Sequence, residues 1–582
     1  MDRPILRVVL LIAALCIPGK SLFAVSCGVV THHPPSEADK ALLTADYAKA
    51  AGLYQAELAS HPGDAELTAG LVHALLHQQK AQEAADVVKA SLAIAPSSAA
   101  LITLRGEVEL RQGAPWLALQ TALESDKVDV CYPRNHLLLA RLGRLNSLYA
   151  SSRKQLEIAH HLDPDDPDIR GEWIGTLPLK QRIAEMEAYL ASPTGKDEED
   201  MRRWRLFLES LKKMVAAPHK ACHLVSPAAA TEIPFAAIMR DPIHLRAFGL
   251  DVKLNSRTSR LQIDTGAGGL VVTQSVAQHA GLKAFSQTEL SGIGDQGYKP
   301  GYTAYADSIR IGKLEFQDCA VRVLDSRSVL EDVDGLIGMD VFSQFLVTLD
   351  YPMRKLLLGP LPPRPGETSM AAPVLKTSDA ERDDSDATAE AAKAAQQDKP
   401  AAQGTESGLK SAVAGSSTPV PAQKLAAQTT GSHGPYDRYV APEMKSYTPV
   451  YRVGHELILP AAINGDKLKL FMLDTGAFAT TISPQAAREV TKVRSDYFTH
   501  VKGLSGNVEK VYIADEVTFS FAHLTQKVNG VVSLDTSRIS KDTGMEISGF
   551  LGASTLNLLT IHIDYRDGLV KFDYDPKRGY RY

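Results

Sequence analysis

One ordered set of short motifs occurs twice in this chain, and it limits the possible folds more than any other feature. Leu261-Gln262-Ile263-Asp264-Thr265-Gly266-Ala267 is answered by Phe471-Met472-Leu473-Asp474-Thr475-Gly476-Ala477 at an offset of 210 residues. Gly335-Leu336-Ile337-Gly338 is answered by Gly549-Phe550-Leu551-Gly552, and Thr348-Leu349-Asp350-Tyr351 by His562-Ile563-Asp564-Tyr565, both at 214. Gly292-Ile293-Gly294 and Gly503-Leu504-Ser505-Gly506 follow their respective aspartates by 28 and 29 residues. β-Branched runs, alternating polarity and glycine-bearing turns around these motifs predict short strands. The same all-β unit is therefore expected twice, over residues 229–362 and 446–582. A lone Asp-Thr-Gly means little. Asp542-Thr543-Gly544 lies in a polar stretch without companion elements, and Asp535-Thr536-Ser537 lacks the glycine.

An apolar strand ending in Asp-Thr-Gly-Ala, a Gly-rich hairpin and an apolar-apolar-Gly element, in that order, resemble the aspartic peptidases. The alanine after the glycine and the shortness of each half make the chain similar to the retropepsin-like branch. The resemblance implies two facing acid-protease lobes, each giving one carboxyl group, Asp264 or Asp474, to a catalytic pair that needs no metal or cofactor. It also implies that Thr265 and Thr475 cross-link the two loops, and that the hairpins at 292–297 and 503–507 are flaps. Gly292, Gly294, Gly503 and Gly506 mark those flaps; the alternative is a plain tight hairpin.

The chemistry accounts for these residue types. Peptide hydrolysis by activated water needs one base for the water and one acid for the carbonyl oxygen. Two carboxyl groups about 3 Å apart cannot both ionise, so one stays protonated and the pair supplies both roles. Gly266 and Gly476 let the backbone approach where a side chain would block water and substrate.

Residues 363–440 are rich in Ala, Ser, Thr, Gln and Pro, and no aromatic residue occurs between Tyr351 and Tyr436. Such a composition buries too little apolar surface to fold, and a disordered linker is expected. A flexible linker of that length spans roughly 45–50 Å. Pairing of the lobes within one chain is thus the first reading, and homodimeric pairing of like lobes the second. Gly268-Gly269 after the first motif against Phe478-Ala479 after the second suits one site with unlike halves.

Residues 36–215 differ in kind, being rich in the strong helix formers Ala, Leu, Gln, Glu and Lys. Pro62, Pro96 and Pro164, with Val130 between, mark a period of 34 residues, and Ala50, Ala84, Ala118 and Ser152 repeat in phase. This pattern resembles the tetratricopeptide repeat, a helix–turn–helix unit that stacks into an α-solenoid. The resemblance implies a surface that recruits a substrate or protein partner. His73 and His77 are four apart but have no third ligand nearby, so they are read as packing or surface residues.

Arg3 and Arg7 precede an apolar run from Val8 to Ile17, which is too short to span a bilayer, where about 20 residues are needed. Residues 1–26 are read as a secretory leader, so export to a periplasmic or extracellular space is expected. Ala24-Val25-Ser26-Cys27 also resembles a lipoprotein cleavage site that would make Cys27 a membrane-anchored first residue; plain cleavage is the alternative. A Cys131–Cys222 disulfide is possible in such a compartment. The charge balance, 63 − 68 = −5, argues against a nucleic-acid binder. No His-Glu-x-x-His, Gly-x-Ser-x-Gly or phosphate-loop motif occurs, and Val453-Gly454-His455-Glu456 only superficially resembles the first. The expected activity is that of an exported aspartic endopeptidase, which could also cut its own linker. The alternative is a protein that binds peptides in a protease-like cleft without cutting them.

Overall fold

The computed structural model describes residues 27–226, 230–239, 241–325, 333–365, 436–465 and 467–577. The expected leader, and residues 366–435 of the expected linker, lie outside the described residues. A helical N-terminal region precedes two β-rich lobes. No helix of the described residues is long and apolar enough to cross a membrane.

Eleven helices run from Glu37 to Ala216. One set spans Ala65–His77, Ala99–Arg111 and Pro133–Leu145; the other spans Tyr47–Ser60, Ala81–Ile94, Pro115–Val128 and Tyr149–Leu162, so both keep a 34-residue register. Pro62, Pro96, Val130 and Pro164 each stand two residues beyond a helix of the second set. Ala50, Ala84 and Ala118 are completely buried and Ser152 nearly so, because the paired helices cross closely at these points. The register lapses after Leu162, where helices Pro167–Ile174, Leu179–Leu190 and Glu198–Ala216 have unequal lengths. The regular array is therefore shorter than the expected 36–215. Residues between the last two helices fold back onto the first ones. Gly195 N donates to Leu43 O and Tyr47 Oη donates to Gly195 O, each at 2.8 Å.

Each lobe is a sheet whose motif strand is wedged by its own glycine element. Arg257–Ile263 pairs in parallel with Gly335–Ile337, which also pairs antiparallel with Leu270–Thr273. In the second lobe Lys467–Leu473, Gly549–Leu551 and Thr481–Ile482 repeat the arrangement. The glycines are required by close backbone approach: a Cβ at Gly335 would lie 2.2 Å from Val271 O, and one at Gly549 2.1 Å from Thr481 O.

A six-stranded sheet joins the lobes, with Phe345–Asp350 antiparallel to Thr560–Asp564 at its centre. Leu349, Leu356, Ile561, Ile563 and Phe572 are fully buried there in one core that runs through both lobes. The expected linker is shorter at both ends. Arg364 donates to Asp567 Oδ1 at 2.5 Å, and Tyr439 N donates to the same oxygen at 2.8 Å. Both ends of the 366–435 segment are thus tied to one buried carboxylate.

Asp564, beside Asp567, is fully buried, and its Oδ2 has no hydrogen-bond partner. Burial, and then the neighbouring Asp567, push its carboxyl up to about 6. A carboxyl raised in the fold contributes stability while protonated and loses it as pH rises from about 4 to about 6. Asp564→Asn is expected to stabilise the protein by roughly 2 kcal/mol at pH 8 and to give no gain at pH 4. Thermal melts of both proteins at the two pH values check this.

The disulfides correct two expectations. Cys27 pairs with Cys131, and Cys222 pairs with Cys319. The Cys131–Cys222 pairing is replaced because each partner is bonded elsewhere. Lipidation of Cys27 is likewise excluded in this disulfide-bonded form, since one sulfur cannot hold both a lipid thioether and a disulfide.

Candidate active site

Asp264 and Asp474 each follow a core strand at the point where the wedged strand ends. Asp264 N donates to Ile337 O and Asp474 N to Leu551 O, both at 3.0 Å. The two loops then meet across the lobe interface. Thr265 N donates to Thr475 Oγ1 and Thr475 N to Thr265 Oγ1, both at 3.0 Å. Each hydroxyl also donates across the interface, Thr265 to Leu473 O at 2.7 Å and Thr475 to Ile263 O at 3.4 Å. Four reciprocal bonds between buried groups fix the loops with near two-fold symmetry.

This grip brings the two carboxyl groups within hydrogen-bonding reach of each other. Gly266 N donates to Asp264 Oδ1, and Gly476 N and Ala477 N donate to Asp474 Oδ1, all at 2.9 Å. A Cβ at Gly476 would sit 2.4 Å from Asp264 Cγ, and one at Gly266 2.9 Å from Asp474 Cγ. Both positions therefore need glycine. Burial, and then the charge of Asp474, push Asp264 well above the usual carboxylate range; burial also raises Asp474. The pair therefore holds one proton over a wide pH range.

The two Gly-rich hairpins meet at their tips. Ser505 N donates to Ile293 O at 3.0 Å, Gln296 N to Ser505 O at 2.8 Å, and Gly292 N to Ser505 Oγ at 3.1 Å. Gly294 has φ +130°, and a Cβ there would lie 2.5 Å from Gly506 O. A Cβ at Gly503 would lie 2.4 Å from Ile293 O. Each tip packs on the opposite lobe: Ile293 against a cluster containing Leu534 and Phe550, and Leu504 against one containing Val271 and Leu324.

The halves are unlike beside the carboxyl groups. Gly268 O accepts from Arg322, and a Cβ at Gly268 would lie 2.6 Å from His455 Nδ1. The matching position holds Phe478, which is 77% exposed. His455 stands in a strand turn, with Nε2 3.2 Å from Gly266 O. His73 is bonded to Glu107 at 2.9 Å and His77 is stacked on Tyr47, so both are packing groups.

Sequence reasoning missed two supports. Gly269 N donates to Asp340 Oδ1 at 2.9 Å, and Thr480 N to Ser554 Oγ at 3.0 Å. Each supporting residue stands two positions after the last glycine of its apolar-apolar-Gly element, and that shared polar position was the available signal.

Residues 250–341 match a family model described as aspartyl protease, so the first lobe contains an aspartyl-protease-type domain that includes Asp264. The chain is also similar in structure to the aspartic proteinase from Irpex lacteus, with a TM-score of 0.30 and 12% sequence identity. That match covers 60% of this chain and 99% of the other. No curated protein matches the chain.

Proposed function

We propose that the protein is an exported, retropepsin-like aspartic endopeptidase in which one chain forms one Asp264/Asp474 dyad. The observation that carries this reading is the reciprocal Thr265–Thr475 grip, which holds the two carboxyl groups together. Asp264, the more strongly raised group, carries the proton and polarises the scissile carbonyl. Asp474 takes a proton from the attacking water, and an uncharged tetrahedral diol forms. Return of protons through the same pair then expels the amine. The hairpins at 291–298 and 497–509 cover an extended peptide and exclude solvent.

The two disulfides support an oxidising compartment and hence export. The 34-residue helix register supports a tetratricopeptide-type array. Recruitment of a protein partner would use the array faces that the lobes leave open.

The test is the pH dependence of kcat/KM on an unbiased peptide mixture. A bell is expected, because only the singly protonated pair works. Its alkaline limb should lie above the ordinary carboxylate range, reflecting the raised Asp264. Peptide binding without turnover from pH 3 to 8 would instead favour a non-catalytic binding protein.

A further inference from the structure

The helical region does more than sit beside the lobes. Its last helix, Glu198–Ala216, lies along the strand Lys283–Leu290 that leads into the first flap. Arg202 donates to both carboxylate oxygens of Glu289, at 2.9 and 3.2 Å. Ser210 Oγ is 3.2 Å from Ser286 Oγ, and Lys213 Nζ donates to Phe285 O at 3.1 Å. The flap's far end, Tyr298, is gripped from two sides of the molecule. The guanidinium groups of Arg203, from the array, and Arg538, from the second lobe, lie over its ring at 4.4 and 4.5 Å from the centroid. Its hydroxyl accepts from Arg203 and donates to Asp542 Oδ1 at 2.7 Å. Burial and the Asp542 bond push that hydroxyl up, so it remains a donor.

The grip is braced from behind. Arg538 pairs with Glu199 at 2.8 Å and Lys541 with Asp197 at 2.9 Å, tying the array directly to the second-lobe helix Ser537–Thr543. Asp542-Thr543-Gly544, which lacks the companions of a catalytic motif, thus has a different use. Asp542 also lies 3.4 Å from Ser291 Oγ at the other end of the same flap. The second flap has another surface. Tyr497 and Phe498 at its base are 84% and 91% exposed, and Lys510, which takes the place of Tyr298 in the strand register, is exposed.

We propose that the helical array clamps the first flap, residues 291–298, through Tyr298, and that the second flap, residues 497–509, is the moving gate. Arg203 and Tyr298 are then positioning residues. This rests on reading the two hairpins as flaps over a peptide cleft. Admission of substrate becomes one-sided, and displacement of the array helix would release the clamped side.

Hydrogen exchange on the full-length, substrate-free chain tests the clamp. In the wild type, amides of 291–298 should exchange roughly tenfold slower than those of 497–509. Arg203→Ala should bring the first flap's rate close to the second's and leave the second unchanged. Arg203→Lys keeps charge but loses the planar stacking, and should fall between. Tryptophan emission from Trp116, Trp173 and Trp204 reports whether the array stays folded in each variant. Equal exchange of both flaps in the wild type would overturn the proposal. So would an Arg203→Ala chain, folded by that emission, whose first flap is unchanged; if Arg203→Ala unfolds, the Lys variant decides on the same criterion. Because no turnover is read, the clamp can fail while peptidase activity stands, and the reverse.

Discussion

Asp474→Asn in the full chain is expected to lower peptide cleavage by roughly 10²–10⁴-fold or more while leaving the fold intact. Asn cannot take the proton from water, and no second carboxyl lies on its side of the pair. The local structure should survive, since the amide oxygen still accepts from Gly476 N and Ala477 N, both 2.9 Å from the present carboxylate oxygen. Asp264→Asn should cost as much for a different reason. It removes the proton that the pair shares and leaves Asp474 to ionise as an ordinary carboxylate. Loss of activity in both single variants, with unchanged thermal melts, is the expected result. Activity surviving in either one would mean that like lobes pair between chains, because the intact lobe would then still form a complete site.

The second large effect is steric. Gly476→Ala places a methyl group where Asp264 Cγ lies only 2.4 Å away. The Thr265–Thr475 bonds and the core strands behind them hold both backbones, so the Asp264 carboxyl must move. A displacement of about 1 Å in a catalytic group costs on the order of 10² in rate. The strain should also destabilise the fold by about 1–3 kcal/mol. Gly266→Ala meets Asp474 Cγ at 2.9 Å and should be the milder of the two. Kinetics and melts on both variants check the order. A fully active Gly476→Ala protein would show that the carboxyl groups do not work in the observed geometry.

Features carried by short sequence spacing were legible; features made by distant contacts were not. The register of 34 residues could be read from three prolines and four small residues because a helix end and a helix crossing each constrain one nearby position. The doubled Asp-Thr-Gly-Ala elements foretold the wedged strands and the facing aspartates, since each motif glycine answers to a close approach within its own lobe or across the grip. Cysteine pairing was misread because separations of 104 and 97 residues say nothing about distance in space. Arg203, Tyr298 and Asp542 looked like unrelated surface residues, and only the docking of array and lobes joins them. The linker boundary was set too wide because composition alone does not reveal that Arg364 and Tyr439 share the Asp567 carboxylate.

The central claim, one mixed dyad within one chain, is tested most directly by mixing. Chains carrying Asp264→Asn and chains carrying Asp474→Asn are unfolded together, refolded as a mixture, and assayed beside each variant alone. The account predicts no recovered cleavage, because every chain carries its own broken pair. Recovery of about one quarter or more of wild-type activity, the level expected when partners combine at random between chains, would contradict it.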